Sequence, residues 1–388
     1  MKKNFALVMV LLCMFTFFGC GKAEGDPAGD KAAANEPAGQ ETAAPKESPA
    51  ASSDSAGEEK MVGVSLPSRA FERWVKEGDI ISEMLQAEGY SVDVQYAEDD
   101  VQTQISQIEN LINSGADCLV ITAVDNSALT NVLQTAADMG IAVIAYDRLI
   151  NQTENVDYFV TFDNVKVGES SARKVLEMLD VENRTEPINM EIFTGDSADA
   201  NSATFYTGVM NVLQEYLDNG KVAVPSGQTA LEQVGIDGWS QENALARMEN
   251  ILSGYYSDGT KLDAVIGPAD AFTYAYVSAF ESAGYKVGEN WPITGGQDAE
   301  VMCVKNILAG KTTFTNYRDG RIESTQLLSL VKAVLEGEEP EINDTARFDN
   351  GVKVVPTYVC EATIITKENV QSILVDGGYY TAEELGLK

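Results

Sequence analysis

The sequence predicts an α/β protein with two doubly wound, parallel-sheet domains. From Met61 onward, short apolar runs alternate with longer amphipathic stretches, which is the order of elements in βαβ units. One run, Ile141 to Tyr146, is apolar throughout, so both faces of that strand would lie under helices. Eight or more strands exceed what one doubly wound sheet of about 150 residues uses. We therefore expect two such domains.

The apolar runs define eight candidate strands in chain order. They are Val62 to Leu66, Val92 to Tyr96, Cys118 to Thr122, Ala142 to Tyr146, Phe159 to Phe162, Met190 to Thr194, Ala264 to Gly267 and Pro292 to Thr294. The stretch Val101 to Ser114 has the 3.6-residue period of a helix. Its apolar face would carry Ile105, Ile108, Leu111 and Ile112. The polar residues Gln102, Gln104, Gln107 and Asn110 would lie outside that face. No linker rich in Pro, Gly and Ser divides residues 61–388, so the domains would be joined by short crossings.

The N-terminus has the pattern of an export signal. Lys2 and Lys3 precede the apolar run Phe5 to Phe18, which is too short to span a membrane, and Cys20 follows a small residue. This resembles a bacterial lipobox, so residues 1–20 are predicted to be a lipoprotein signal peptide, with Cys20 as the lipidation site. Residues 21–60 lack aromatic and large aliphatic side chains and are predicted to be a disordered tether.

Composition excludes several classes of function. The formal charge of -33 argues against nucleic acid as a partner, because phosphates require an excess of Lys and Arg. The chain has no histidine, which excludes Ser-His and Cys-His nucleophiles and His-built zinc sites. Its five cysteines show no CxxC spacing, and Cys118 lies in an apolar run typical of a buried thiol. Gly310 in Gly-Lys-Thr is interpreted as a helix C-cap and not as part of a phosphate loop. We expect no metal and no cofactor.

The residues that follow the predicted strands suggest a ligand, since ligands bind off the carboxyl ends of strands in such sheets. Carboxylates and guanidinium groups match the hydroxyls of a pyranose, and indoles match its C–H faces. Each residue also has a structural alternative, as a core aromatic, a helix cap or an exposed helix charge. The candidate sugar-binding residues are Arg73, Trp74, Asp147, Arg148, Asp199, Asn201, Trp239, Asp298 and Arg318.

Over residues 61–388 the chain resembles the periplasmic sugar-binding proteins of ABC importers, in the branch that binds xylose or several monosaccharides. Six segments carry the resemblance. They are Glu72-Arg73-Trp74, Ser106-Gln107-Ile108-Glu109-Asn110, Ala145-Tyr146-Asp147-Arg148-Leu149-Ile150, Phe162-Asp163-Asn164, Gly295-Gly296-Gln297-Asp298-Ala299-Glu300 and Val375-Asp376-Gly377-Gly378-Tyr379-Tyr380.

The resemblance implies two lobes joined by three hinge crossings, with one sugar held between them. The N-terminal lobe would comprise residues 61–163 plus 299–345, and the C-terminal lobe residues 164–298 plus 346–388. Asp298 would lie at a crossing, and Arg318 stands where xylose binders carry Lys. Ala269 replaces a polar residue of relatives, so preference among sugars would differ from theirs.

The expected function is that of a lipid-anchored, extracytoplasmic, monomeric protein that delivers a monosaccharide to an ABC permease by hinge closure. Xylose, arabinose, galactose and glucose fit the residues, and three arginines leave room for a uronic acid. One alternative is a sensor that presents its closed form to a chemoreceptor or a membrane kinase. Another is a glycosidase using Asp199 and Asp298, although arginine partners would keep these carboxylates ionised. The effector core of a transcription repressor would need a helix-turn-helix where this chain has an export signal.

Overall fold

The computed structural model describes residues 59–387, which form two α/β lobes, each with a six-stranded sheet. The predicted signal peptide 1–20, with Cys20, and nearly all of the predicted tether 21–60 lie outside the described residues. No helix within residues 59–387 has the length and apolarity to cross a membrane.

The first sheet has the order β11-β5-β4-β3-β1-β2, and all its strands are parallel. Its strands are β1 (Met61–Leu66), β2 (Ser91–Tyr96), β3 (Cys118–Ile121), β4 (Ala142–Tyr146), β5 (Tyr158–Phe162) and β11 (Thr357–Cys360). The helices of this lobe are α1 (Glu72–Ala87), α2 (Val101–Asn113), α3 (Thr130–Asp138) and α10 (Gly320–Glu336).

The second sheet has the order β12-β10-β9-β8-β6-β7, with only β12 antiparallel to its neighbour. Its strands are β6 (Ile188–Ile192), β7 (Val222–Ala223), β8 (Ala264–Ile266), β9 (Ile293–Gln297), β10 (Phe314–Tyr317) and β12 (Thr363–Thr366). The helices are α4 (Asn164–Met178), α5 (Ala200–Asp218), α6 (Leu231–Val234), α7 (Gln241–Tyr255), α8 (Asp270–Ser282) and α9 (Val301–Leu308), and a short 3₁₀ turn covers Asp237–Trp239.

Burial on both faces of the strands explains why the sheets form between helices. In β4, Val143 and Ala145 belong to the core on one side of the sheet, whereas Ile144 and Tyr146 belong to the core on the other side. Cys118 is buried and its thiol is free, as its apolar run predicted. Gly310 has a left-handed φ of 74° just past α9, which confirms it as the end of that helix.

The face predicted for α2 is wrong at one position. Gln104 is fully buried, and its side chain donates to Ser65 Oγ (3.2 Å) and to the carbonyl of Thr122 (2.9 Å). Its Oε1 accepts from the backbone N–H of Val124 (2.8 Å). A buried amide with all these partners ties the helix to the ends of two strands, which a polarity pattern does not reveal.

Three crossings join the lobes, as predicted, but two boundaries differ from the prediction. The chain passes from β5 to α4, from β10 to α10, and from β11 to β12. Residues 301–317 therefore belong to the second lobe, because α9 packs in its core and β10 pairs with β9. Residues 357–360 belong to the first lobe, where they pair with β5. Asp298 follows β9 inside the second lobe, and it is Arg318 that lies at a crossing.

Candidate functional site

A cleft between the two lobes brings together all nine side chains that the sequence singled out. Its empty volume is about 440 Å³, part of it open to solvent. The cleft lies off the carboxyl ends of the strands in both sheets. Its lining consists of Phe71, Arg73, Trp74, Asp147, Arg148, Asp199, Asn201, Trp239, Pro268, Ala269, Gln297, Asp298 and Arg318.

Asp147 lies at the centre of the charges in the cleft. Its backbone is left-handed (φ 60°) directly after β4, a conformation that Asp tolerates better than most residues. Oδ2 accepts from Arg73 (2.6 Å) and Arg318 (3.0 Å), and Oδ1 accepts from Asn201 (3.0 Å). Burial opposes ionisation of this carboxyl, but the two guanidinium groups outweigh it, so the pKa of Asp147 is lowered.

Arg73 is held by two further acids that sequence reasoning missed. Its Nε donates to Glu77 (2.6 Å), and its Nη2 donates to Glu323 (3.3 Å) as well as to Asp147. Burial raises the pKa of Glu77, and burial with the neighbouring Asp147 raises the pKa of Glu323 well above its usual value. Arg73 Nη1 is buried and has no hydrogen-bond partner among the described residues. The guanidinium is therefore fixed with one donor free.

The second lobe meets the first through Asp199 and Asn201. Asp199 caps α5 by accepting from the backbone N–H of Asn201 (2.9 Å), and its Oδ2 lies 2.8 Å from Arg148 Nε. Asn201 Nδ2 donates to the backbone carbonyl of Asp147 (3.0 Å), and the Asn126 N–H donates to the carbonyl of Ala198 (3.1 Å). These contacts bridge the two lobes, so their edges are closed on each other here.

The arginine beside Asp199 does not bring the pKa of this carboxyl group below its usual value. Burial outweighs the attraction of Arg148, so the pKa of Asp199 is raised. The alternative role of Asp199 as a helix cap is confirmed, and the same side chain also lines the cleft.

Asp298 and Arg318 form a pair at the side of the cleft near the hinge. Arg318 donates from Nε (2.9 Å) and Nη2 (2.7 Å) to Asp298 Oδ1, and its Nη1 donates to Asp147. The same Asp298 oxygen lies 3.7 Å from Arg73 Nη1. Three arginines and three aspartates thus compensate one another within the cleft, which removes much of the cost of burying them.

Aromatic faces complete the cleft. The Arg73 guanidinium lies 4.4 Å from the centre of the Trp74 ring, and Trp239 stacks on Phe272 with ring centres 5.9 Å apart. A side chain at Gly195 would collide with the Trp239 indole, so glycine is needed there for close approach. Indole Nε1 of Trp239 is buried, and no described residue accepts its hydrogen.

Three lining residues were not predicted: Phe71, Pro268 and Gln297. Gln297 is the last residue of β9, and its Oε1 is buried without a donor among the described residues. The rule that ligands bind at strand ends could have found Gln297, because it directly precedes Asp298. Ala269 lines the cleft, as the resemblance implied, and its side chain is only a methyl group.

The titratable groups of residues 59–387 include no cluster that could hold a metal ion. The charged groups of the cleft are paired with one another. Its polar atoms without a partner among the described residues include the donors Arg73 Nη1 and Trp239 Nε1 and the acceptor Gln297 Oε1. Such a surface is suited to a neutral molecule with several hydroxyl groups and apolar faces.

Known proteins of one family resemble the chain. Residues 62–339 match the model of the periplasmic binding protein domain. The chain is 43% identical to the multiple sugar-binding periplasmic receptor ChvE of Rhizobium radiobacter over 85% of this chain and 93% of that protein. It is 33% identical to the D-xylose-binding periplasmic protein of Escherichia coli (strain K12), over 84% and 93% of the two chains. A solute-binding protein of an ABC transporter from Clostridium phytofermentans, solved with bound β-D-glucose, aligns with a TM-score of 0.81 and 44% identity, covering 84% of this chain and all of that one.

Proposed function

Since the chain belongs to the periplasmic binding protein family, we propose that it binds a neutral monosaccharide of the xylose, arabinose, galactose and glucose class between its lobes and delivers it to an ABC importer. The observation that carries the proposal is the convergence of all nine predicted side chains on one cleft. Two of the relatives above are named for sugar binding, and the Clostridium protein holds glucose.

The unpartnered polar atoms of the cleft would contact the sugar. Arg73 Nη1 and Trp239 Nε1 can donate to hydroxyl oxygens, and Gln297 Oε1 can accept from a hydroxyl. The Trp74 and Trp239 rings supply apolar surface for the C–H faces of the ring. A sugar that contacts both lobes would stabilise the closed arrangement by its differential affinity, and the closed shape is what a permease would recognise.

We expect a thermal-shift panel to identify neutral aldoses as ligands. At 100 times its dissociation constant, a sugar that binds only the folded protein stabilises it by about 2.7 kcal/mol. The three arginines of the cleft are already paired with its three aspartates, and the buried acids Glu77 and Glu323 lie beside them. Hexuronates should therefore stabilise less than the matching hexoses. Stabilisation by amino acids but by no aldose would refute the proposal. Release of nitrophenol from nitrophenyl glycosides would favour the glycosidase alternative.

We also propose that Cys20 is lipidated and anchors the protein outside the cytoplasm. Cys20 follows the apolar segment Phe5 to Phe18 and precedes the polar segment 21–60. In cells fed an alkyne fatty acid, label should be lost from Cys20→Ser and kept by Cys13→Ser, which changes a cysteine inside the predicted signal. The buried thiols of Cys118, Cys303 and Cys360 should not be labelled. Undiminished labelling of the Cys20→Ser protein would overturn the assignment.

A further inference from the structure

The turn after β9 has an unusual backbone. Asp298 (φ 101°) and Ala299 (φ 55°) are consecutive non-glycine residues with positive φ. Residues with side chains rarely adopt such angles, and two in succession persist only where surrounding contacts determine them. Asp298 is also the residue that orients Arg318 and approaches Arg73 in the cleft. Whatever holds this turn therefore also sets the position of the carboxylate that orients Arg318.

Two buried side chains hold the turn. The Ala299 N–H donates to Thr315 Oγ1 (3.2 Å), and the Thr315 hydroxyl donates in turn to Asp270 Oδ1 (2.8 Å). The other oxygen of Asp270 accepts from the Glu300 N–H (2.7 Å). Asp270 is 1% exposed and Thr315 is fully buried, so solvent does not compete for these bonds. Both carboxylate oxygens of Asp270 thus serve the segment 299–300.

Neither side chain lines the cleft. Asp270 begins α8, and Thr315 lies within β10. Their recorded side-chain hydrogen bonds reach the cleft through the backbone of residues 299 and 300. Arg318 donates hydrogen bonds both to Asp298 in the turn and to Asp147 in the cleft.

We infer that Asp270 and Thr315 are positioning residues of the binding site, which hold the turn 298–300 in the conformation that places the Asp298 carboxylate in the cleft. The inference rests on the proposed function, since it concerns the affinity for a sugar. Breaking one of the hydrogen bonds that Thr315 and Asp270 make should release the turn and weaken sugar binding without removing any group that touches the ligand.

The substitution Thr315→Val tests the inference, because valine keeps the shape and branching of threonine and lacks the hydroxyl. By calorimetry with the best aldose of the panel, affinity should fall about 2- to 10-fold, the range expected for one lost hydrogen bond. Thr315→Ser keeps a hydroxyl and should bind like the wild type. Thr273→Val is the matched control: Thr273 is equally buried and also bonds to Asp270, but to its backbone carbonyl (2.7 Å). It should leave affinity unchanged.

A double-mutant cycle separates positioning from general structural damage. In an Asp298→Ala background, Thr315→Val should cause no further loss of affinity, because the group that it positions is gone. Additive losses, or a wild-type affinity for Thr315→Val alone, would overturn the inference. Should valine at 315 prevent folding, Asp270→Asn takes its place in the same cycle. A wild-type protein that binds no aldose would overturn the proposed function, and this inference with it.

Discussion

Replacing Asp147 with alanine is expected to weaken sugar binding by about 100-fold, equivalent to roughly 2.7 kcal/mol. The substitution removes the acceptor shared by Arg73 and Arg318, and it leaves the Asn201 amide only its bond to the backbone carbonyl of Asp147 among the contacts with the first lobe recorded in residues 59–387. Two buried guanidinium groups would lose the carboxylate that they share, and one of the hydrogen bonds between the lobes would be lost. Calorimetric titration with the best aldose of the panel measures the effect.

Two variants sharpen this prediction. Asp147→Asn keeps one acceptor and tolerates the left-handed backbone, so it should bind more tightly than the alanine variant and less tightly than the wild type. Asp263→Ala is the matched control, because Asp263 is a buried carboxylate paired with Arg184 (3.0 Å) just before β8, at the end of the sheet away from the cleft. Asp263→Ala should lower stability and leave affinity alone. If Asp147→Ala binds within threefold of the wild type, the site assignment is wrong.

The convergence of the candidate residues on one cleft was predictable because parallel strands end at the same edge of a sheet. Asp147, Asp199 and Asp298 are separated by many residues, yet each follows a strand whose carboxyl end faces the cleft. Local sequence therefore indicated the positions of side chains that meet only in the fold. The same rule could have found Gln297, which lies three residues past the end predicted for β9 and directly before Asp298.

Glu77 and Glu323 could not be found in this way. They lie inside helices α1 and α10, where an acidic residue normally marks a solvent-exposed face. Glu77 contacts Arg73 one turn earlier in the same helix, whereas Glu323 contacts Arg73 from an element 250 residues away in the chain. Polarity within one helix carries no information on such a partner.

The hinge crossings explain the errors in the lobe boundaries. Strands β11 and β12 are separated by only Glu361 and Ala362, a spacing that suggests a hairpin, yet they belong to different lobes. In β10, the consecutive residues Thr315 and Asn316 are polar but buried, because they bond to residues of the second lobe. Such a strand lacks the apolar pattern on which its recognition depends.

Replacing Arg73 with alanine should strongly destabilise the folded protein, lowering the free energy of unfolding by about 3 to 5 kcal/mol at pH 7. The variant would leave Asp147, Glu77 and Glu323 buried without the guanidinium that contacts all three. Arg69→Ala is the matched control on the same side of the cleft. The Arg69 side chain is 58% exposed and paired with Glu98, so its loss should cost less than about 1 kcal/mol. Denaturant unfolding compares the two variants with the wild type.

The loss caused by Arg73→Ala should shrink as the pH falls from 8 to 5. Burial already raises the pKa of Glu77 and Glu323 in the folded protein, and removal of the cation would raise both further. A carboxyl group whose folded-state pKa exceeds its unfolded value favours the folded state at low pH, and this contribution is lost as the pH rises through the folded pKa. A lower pH should therefore restore part of the stability that Arg73→Ala loses, because the unpaired glutamates become protonated and neutral. Arg69→Ala should show no such recovery. A deficit of Arg73→Ala that stays constant between pH 8 and pH 5 would mean that these carboxylates do not depend on the guanidinium for their charge.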